Sequence, residues 1–167
     1  GKVNLRNARF ADDPAPLDRL AHRSPGVQEL GEHGAVRFVR CDVGDKADAE
    51  NLVASTVQTW GSVDVLVNNA GIAHGADFLD VTEADFDRVI RVNLKGAFLC
   101  VQAVVPRMQA AGAGKIVNIA SNSAVGGSGS SIPYVVSKAG LLTLTRLLAR
   151  ALAPAVPGNA VAPGGLA

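Results

Sequence analysis

The apolar positions of this chain change their period several times, and each change marks an element. Residues 36–41, Val-Arg-Phe-Val-Arg-Cys, mix β-branched and aromatic side chains and predict a strand. Across 45–60 the apolar residues Ala49, Leu52, Val53, Val57 and Trp60 recur at three and four, the spacing of one helix face. Gly61 is placed to stop that helix. The short apolar run 63–67 suits a strand buried on both faces. Thr82 followed by Asp85 resembles a capping box with Asp in place of Glu. Phe86, Val89 and Ile90 continue a helical stripe. After a break expected near Asn93, Ala97, Val101, Val104, Val105 and Met108 extend it. Residues 115–120 form the next predicted strand, and 121–132 a Gly/Ser-rich loop. Pro133 starts a helix at a position proline tolerates, with Leu141, Leu144, Leu148 and Leu152 on its apolar face.

Strands alternating with helices predict an α/β fold, a parallel sheet wrapped by helices. Right-handed crossovers gather the strand ends on one edge, and ligands of such sheets bind beyond the carboxyl ends. Asp42, Asn69 and Ser121 each follow a predicted strand directly, which places them on that edge. Tyr134 and Lys138 can reach it from the helix after the Ser121 loop.

A chain of 167 residues predicts one domain with a real core. Hydrophobic content of 48% with 19% charged residues fits a globular protein rather than a disordered one. A net charge of +1 leaves no nucleic-acid footprint, and 4% aromatics argue against base-stacking surfaces. Cys41 and Cys100 lie far apart without a CxxC, so free thiols in a reducing compartment are expected. His22, His33 and His74 have no ligand spacing, and no metal site is expected. No signal peptide opens the chain and no uninterrupted run of about 18 apolar residues exists, so no membrane span is expected. A cytoplasmic location is the default expectation.

The candidate chemistry centres on Tyr134, followed four residues later by Lys138. That spacing puts phenol and ammonium on one helix face. A cation held there favours the phenolate, which suits general acid/base work near neutral pH. Ser121 adds a hydroxyl upstream. Taken alone, Tyr-x-x-x-Lys could equally be an exposed helix pair. The stretch 126–131 could cradle a phosphate, but no Lys-Ser or Lys-Thr follows it, so it reads better as a pocket-lining loop. Residues 112–115, Gly-Ala-Gly-Lys, read as a turn into a strand.

The neighbours of Tyr134 complete a set. Residues 64–71 read D-V-L-V-N-N-A-G, Asn93 sits in V-N-L-K-G-A-F, Ser121 ends I-V-N-I-A-S, residues 134–140 read Y-V-V-S-K-A-G, and Pro163-Gly164 follow N-A-V-A. Together these closely resemble the short-chain dehydrogenase/reductase family over roughly 36–167. The resemblance implies a Rossmann-like, doubly wound parallel sheet with helices on both faces. It implies hydride transfer between NAD or NADP and a ketone or secondary alcohol. In it Tyr134 gives or takes the hydroxyl proton, Lys138 assists it and binds the nicotinamide ribose, and Ser121 hydrogen-bonds the substrate oxygen. Asn93 holds a water linking Lys138 to solvent. Asp42 and Val43 match positions facing the adenine, Asn69, Ala70 and Gly71 run along the adenosine ribose, and Pro163 and Gly164 close over the nicotinamide. Asn68 reads as a structural tie between strands. A homodimer or homotetramer through helices matching about 93–111 and 133–153 is implied as well.

Two departures stand out. The family's T-G-x-x-x-G-x-G phosphate loop is not found: Asn4-Leu5-Arg6-Asn7 stand where a β-branched strand and glycines belong, and 1–30 is irregular. The join 153–159 is compressed, and the substrate-covering C-terminal segment does not follow. The expected architecture is one domain over 1–167, incomplete at its first strand and C-terminus. A longer protein with loops left out and the remainder numbered continuously is expected over true truncation, with a wide gap between neighbouring alpha carbons within 3–30 or 153–160. The alternative function is an inactive fragment that acts only by helix-mediated oligomerisation.

Overall fold

The computed structural model describes residues 4–7, 35–127, 129 and 131–164. Its strands β1 (Asn4–Asn7), β2 (Val65–Asn68), β3 (Lys115–Ile119) and β4 (Gly158–Val161) pair in chain order as one parallel sheet. Between them run α1 (Lys46–Trp60), α2 (Glu83–Ile90), a π-helical turn at Arg91–Lys95, α3 (Gly96–Ala110), the short α4 (Ser123–Gly126) and α5 (Ile132–Leu152). Successive strands step in one direction, and parallel crossovers are right-handed, so the connecting helices fall on the same face. Burial agrees. Leu66 and Ile116 are fully buried, while Val65, Val67 and Val117, which point the other way, are half-buried. Helices were expected on both faces; among the described residues they cover this one.

Local chemistry sets the helix ends. The Asp45 carboxylate accepts from the Asp48 N–H at the start of α1, and Gly61 ends it with φ 83°, a left-handed conformation that costs other residues a Cβ clash. The Thr82 hydroxyl accepts from the Asp85 N–H at 3.1 Å and donates to the Asp85 carboxylate at 2.6 Å, and the Thr82 backbone N–H also bonds that carboxylate, so the expected capping box forms with Asp in the Glu position. On the covered face, Leu52 and Val53 of α1 meet Leu99, Val104 and Met108 of α3 over Leu66 and Ile116. Each such fully buried aliphatic side chain contributes about 1.5–3 kcal/mol. A polar thread crosses this face. Asn68 Nδ2 donates to Asn118 Oδ1 at 2.8 Å, Asn118 Nδ2 to Thr145 Oγ1 at 2.9 Å, and Thr145 Oγ1 to the Leu141 carbonyl at 2.7 Å. Asn68 thus ties strands together, as its sequence context suggested.

Several expectations need correction. A first strand is present at Asn4–Asn7, pairing with β2, although its sequence lacks β-branched residues. Parallel ladder bonds are made by the backbone, so a polar sequence can occupy the strand. Residues 36–41 form no strand, because no strand among the described residues offers them a ladder. The helix does not break at Asn93. It passes through the π turn, which inserts a residue without ending the hydrogen-bonded run. The loop 121–132 contains the short helix α4. The gap expected within 153–160 is not there: the Val156 N–H bonds the Leu152 carbonyl, the Ile116 N–H bonds the Pro157 carbonyl, and β4 follows at once. The rest of the gap expectation, and His22 and His33, fall on 8–34, outside the described residues.

The helical runs Glu83–Ala110 and Ile132–Leu152 have the length and mean hydropathy, 1.4 and 1.2, of membrane spans, which composition by uninterrupted runs had missed. Both pack on the sheet here, α3 against β2 and α5 against β4; Val101, Val104 and Met108 of α3 are core, while on α5 Leu141 is buried and Leu148 and Leu152 are partly buried against the core.

Candidate active site

The carboxyl ends of β2, β3 and β4 share one edge, and a cleft of about 460 Å³ opens there. It is lined by Asn69 and Gly71 after β2, Ser121 after β3, Tyr134 and Lys138 on α5, and Pro163 and Gly164 after β4. The sheet ladder holds the last pair in place. The Ala120 N–H bonds the Val161 carbonyl at 2.8 Å and the Asn122 N–H bonds the Pro163 carbonyl at 3.0 Å, continuing the β3–β4 pairing into the cleft wall.

Pro133 at the start of α5 and the helical period aim Tyr134 and Lys138 along the same side. The Lys138 ammonium lies 5.8 Å from the Tyr134 ring centroid and donates to the Ile119 carbonyl at 2.7 Å. Lys138 is only 4% exposed, and burial pushes its pKa below the usual lysine range. An ammonium has three donors, so the bond to the Ile119 carbonyl leaves capacity for a ligand in the cleft.

Asn93 stands behind the cleft rather than in its lining. The π turn rotates it inward, where it is 1% exposed. Its Oδ1 accepts from the Ile72 N–H at 2.7 Å, and its Nδ2 donates to the Ile72 carbonyl at 2.8 Å and to Ser137 Oγ at 3.0 Å. Ser137 Oγ in turn donates to the Tyr134 carbonyl at 2.6 Å. Asn93 therefore clamps the β2 turn to the helix that carries Tyr134. A β-carbon at Gly71 would stand 3.4 Å from Lys138 Nζ and 3.5 Å from Asn93 Oδ1, so glycine keeps that wall flush with both. Ala70 is half-buried against the core.

Ser121 is buried, and its Oγ accepts from Ser123 Oγ at 2.7 Å and from the Ser123 N–H at 3.3 Å. Asp42 and Val43 do not line the cleft. Val43 is a core side chain whose Cγ2 would lie 2.7 Å from a β-carbon at Gly96. Asp42 is exposed and bonds Arg91 Nη2 at 2.6 Å and the Gly44 N–H at 2.9 Å. Burial raises its pKa, but the Arg91 and Gly44 hydrogen bonds and the Arg91 charge outweigh that and hold it below the usual carboxylate range. Burial, with Cys100 and nearby acids, pushes the Cys41 thiol up to about 12. A wider hollow of about 670 Å³ lies between residues 37–40 and α1, but it holds no acid/base pair. Among the described residues no cluster of His, Cys, Asp or Glu could hold a metal ion.

Sequence reasoning missed Ser123, Ser137 and Arg91. Ser123 lies two residues past the I-V-N-I-A-S motif, and Ser137 sits inside Y-V-V-S-K-A-G, read for Tyr134 and Lys138. Arg91 is two residues before Asn93, and nothing in the pattern tied it to Asp42.

A family model described as short chain dehydrogenase matches residues 17–167. The chain is 46% identical over 124 residues to the (2S)-[(R)-hydroxy(phenyl)methyl]succinyl-CoA dehydrogenase subunit BbsD of Thauera aromatica, covering 74% of this chain and 50% of that protein. It is 39% identical over 140 residues to the 3-oxoacyl-[acyl-carrier-protein] reductase FabG of Staphylococcus epidermidis, covering 83% and 57%. A crystal structure from Burkholderia xenovorans, provisionally described as a short-chain dehydrogenase/reductase, superposes with a TM-score of 0.81 at 32% identity, covering 98% of this chain and 66% of that one. The chain spans about half the length of the curated relatives it matches.

Proposed function

The chain belongs to the short-chain dehydrogenase family, and from that membership we propose that it reduces a ketone, or oxidises the matching secondary alcohol, with NAD or NADP. The observation that carries this reading is the meeting of Ser121, Tyr134 and Lys138 in one cleft at the carboxyl edge of the sheet. The nicotinamide half of such a cofactor fits what is present: a flat wall at Gly71, a buried amine with donors to spare, and the Pro163–Gly164 strip opposite. Residues of a phosphate-binding loop are not among those described. Asp42 and Val43 would serve the adenine end, and Asn69, Ala70 and Gly71 the adjoining ribose.

When bound, the reduced nicotinamide supplies a hydride to the carbonyl carbon. The chain's own groups do the rest. The Tyr134 hydroxyl gives its proton to the carbonyl oxygen, and Ser121 donates a hydrogen bond to the same oxygen. The Lys138 ammonium offers its remaining hydrogens to the ribose hydroxyls, and its charge stabilises the phenolate left after proton transfer. Asn93 acts by position, holding Ile72 and, through Ser137, the first turn of α5. Both its amide hydrogens are spent and Oδ1 already accepts from the Ile72 N–H, so the side chain could hold a water toward Lys138 only through the second lone pair of Oδ1.

The named activities of the relatives make acyl thioesters bearing a ketone or hydroxyl the first substrates to try. The test is loss of NADH or NADPH absorbance with a panel of such ketones. Turnover with one cofactor, and a drop of at least ~100-fold in Tyr134→Phe, is expected. A protein that binds neither cofactor by calorimetry defeats the reading. Cys41 and Cys100 are not joined by a disulfide, which fits a reducing compartment such as the cytoplasm. A second reading, an inactive fragment working through its helices, draws on the exposed Phe98, Val136 and Leu147 of α3 and α5. A homodimer or homotetramer suits both readings, and the cofactor titration separates them.

A further inference from the structure

We propose that Ser123 is a positioning residue that makes Ser121 a hydrogen-bond donor toward the cleft, so that the oxygen bound there must be an acceptor. The inference rests on the cleft being the carbonyl-reducing site proposed above.

A serine hydroxyl has one hydrogen and two acceptor lone pairs. The Ser123 N–H can only donate, and it points at Ser121 Oγ from 3.3 Å. The Ser123 hydroxyl lies 2.7 Å from the same oxygen. If Ser121 donated to Ser123, the Ser123 hydrogen would be buried without an acceptor, because Ser123 is only 7% exposed and its hydroxyl has no other partner among the described residues. The opposite direction satisfies both groups. It fills both lone pairs of Ser121 and leaves its one hydrogen for a group in the cleft that Ser121 lines.

The surroundings hold Ser123 in this role. It begins the short helix α4, whose backbone bonds (the Ala124 N–H to the Ser121 carbonyl, the Gly127 N–H to the Ser123 carbonyl) fix the turn between the two serines. A β-carbon at Gly129 would stand 3.0 Å from Ser123 Cβ and 3.3 Å from its Oγ, so the backbone of Gly129 closes over the hydroxyl. Ser121 and the Tyr134 hydroxyl are then two donors aimed at one oxygen. That arrangement suits a carbonyl, which offers two lone pairs. Without Ser123, the Ser121 hydroxyl is free to rotate and to present a lone pair instead.

The test uses the full chain with cofactor and a ketone carrying an isotope-labelled carbonyl, read by infrared difference spectroscopy and by steady-state kinetics. In Ser123→Ala the bound carbonyl band should move toward its free-solution position, and kcat/KM should fall about tenfold, the value of roughly one hydrogen bond. Ser123→Thr, which keeps the hydroxyl, should stay within about threefold of the parent. Ser123→Cys, a weaker donor, should fall on the Ala side and serves if the alanine variant does not fold. In a Ser121→Ala background the Ser123→Ala effect should vanish, because its acceptor is gone. An unchanged carbonyl band in Ser123→Ala, or an equal loss with and without Ser121, overturns the inference while leaving the proposed function standing. A parent protein that gives neither a bound carbonyl band nor turnover overturns both.

Discussion

Replacing Asn93 with alanine removes three hydrogen bonds from a site that is 1% exposed. Two of the partners are the N–H and carbonyl of Ile72, itself 4% exposed, so water cannot replace the lost amide without rearrangement. Each buried group left unpaired costs about 1–3 kcal/mol. Ser137 Oγ keeps its bond to the Tyr134 carbonyl and adds little to the loss. The sum for Ile72 is roughly 2–6 kcal/mol, a large part of the 5–15 kcal/mol that holds a typical domain together. For a chain of this size the melting temperature should drop by about 4–24 °C. Urea unfolding measures the stability change, and hydrogen exchange at the Ile72 amide locates it. The amide should lose protection in Asn93→Ala even under conditions where the core strands keep theirs. A loss below ~1 kcal/mol with Ile72 still protected would refute the clamp, because the bonds would then be replaceable at no cost.

Other outcomes follow from the same geometry. Lys138 has a folded pKa depressed by burial, so in the window from that lowered value up to its ordinary 10.5 the unfolded chain binds more protons. Its contribution to stability therefore rises with pH through that window. Lys138→Met should stabilise the fold relative to the parent at pH 7 and lose that advantage as pH approaches 10.5, as measured by urea unfolding at several pH values. A difference independent of pH would contradict the burial argument. Ser131→Ala should raise stability by about 1 kcal/mol, because the Ser131 hydroxyl is buried without a partner among the described residues and makes no capping bond at the start of α5. A lower melting temperature in that variant would show that the hydroxyl has a partner in solution.

Much of the site was legible before any coordinates. Asn69 and Ser121 were placed on the carboxyl edge because each ends an apolar run, and Tyr134 and Lys138 because of their helical spacing. These are local signals, and the cleft gathers all four residues. Asn93 was legible as a site residue, but its hydrogen bonds were not. Its partners lie 21 and 44 positions away, and only the inward rotation of the π turn brings them together. Arg91 and Asp42, separated by 49 positions, were unreadable for the same reason.

The sequence by itself determined the elements that a short window of pattern can specify: the capped helix α1, the strands at the Asn68 and Ser121 ends, the Pro-started helix α5 and the motifs on them. Those depend on propensity, period and end chemistry, which act over a turn or two. Tertiary structure alone decided that Asn4–Asn7 is a strand while the more strand-like 36–41 is not, because a strand exists only where a neighbour supplies the other half of its ladder. It also decided which lone pairs and hydrogens around Ser121 and Asn93 are spent. Hydrogen-bond satisfaction is counted among groups that meet in space, and their order along the chain does not record which groups meet.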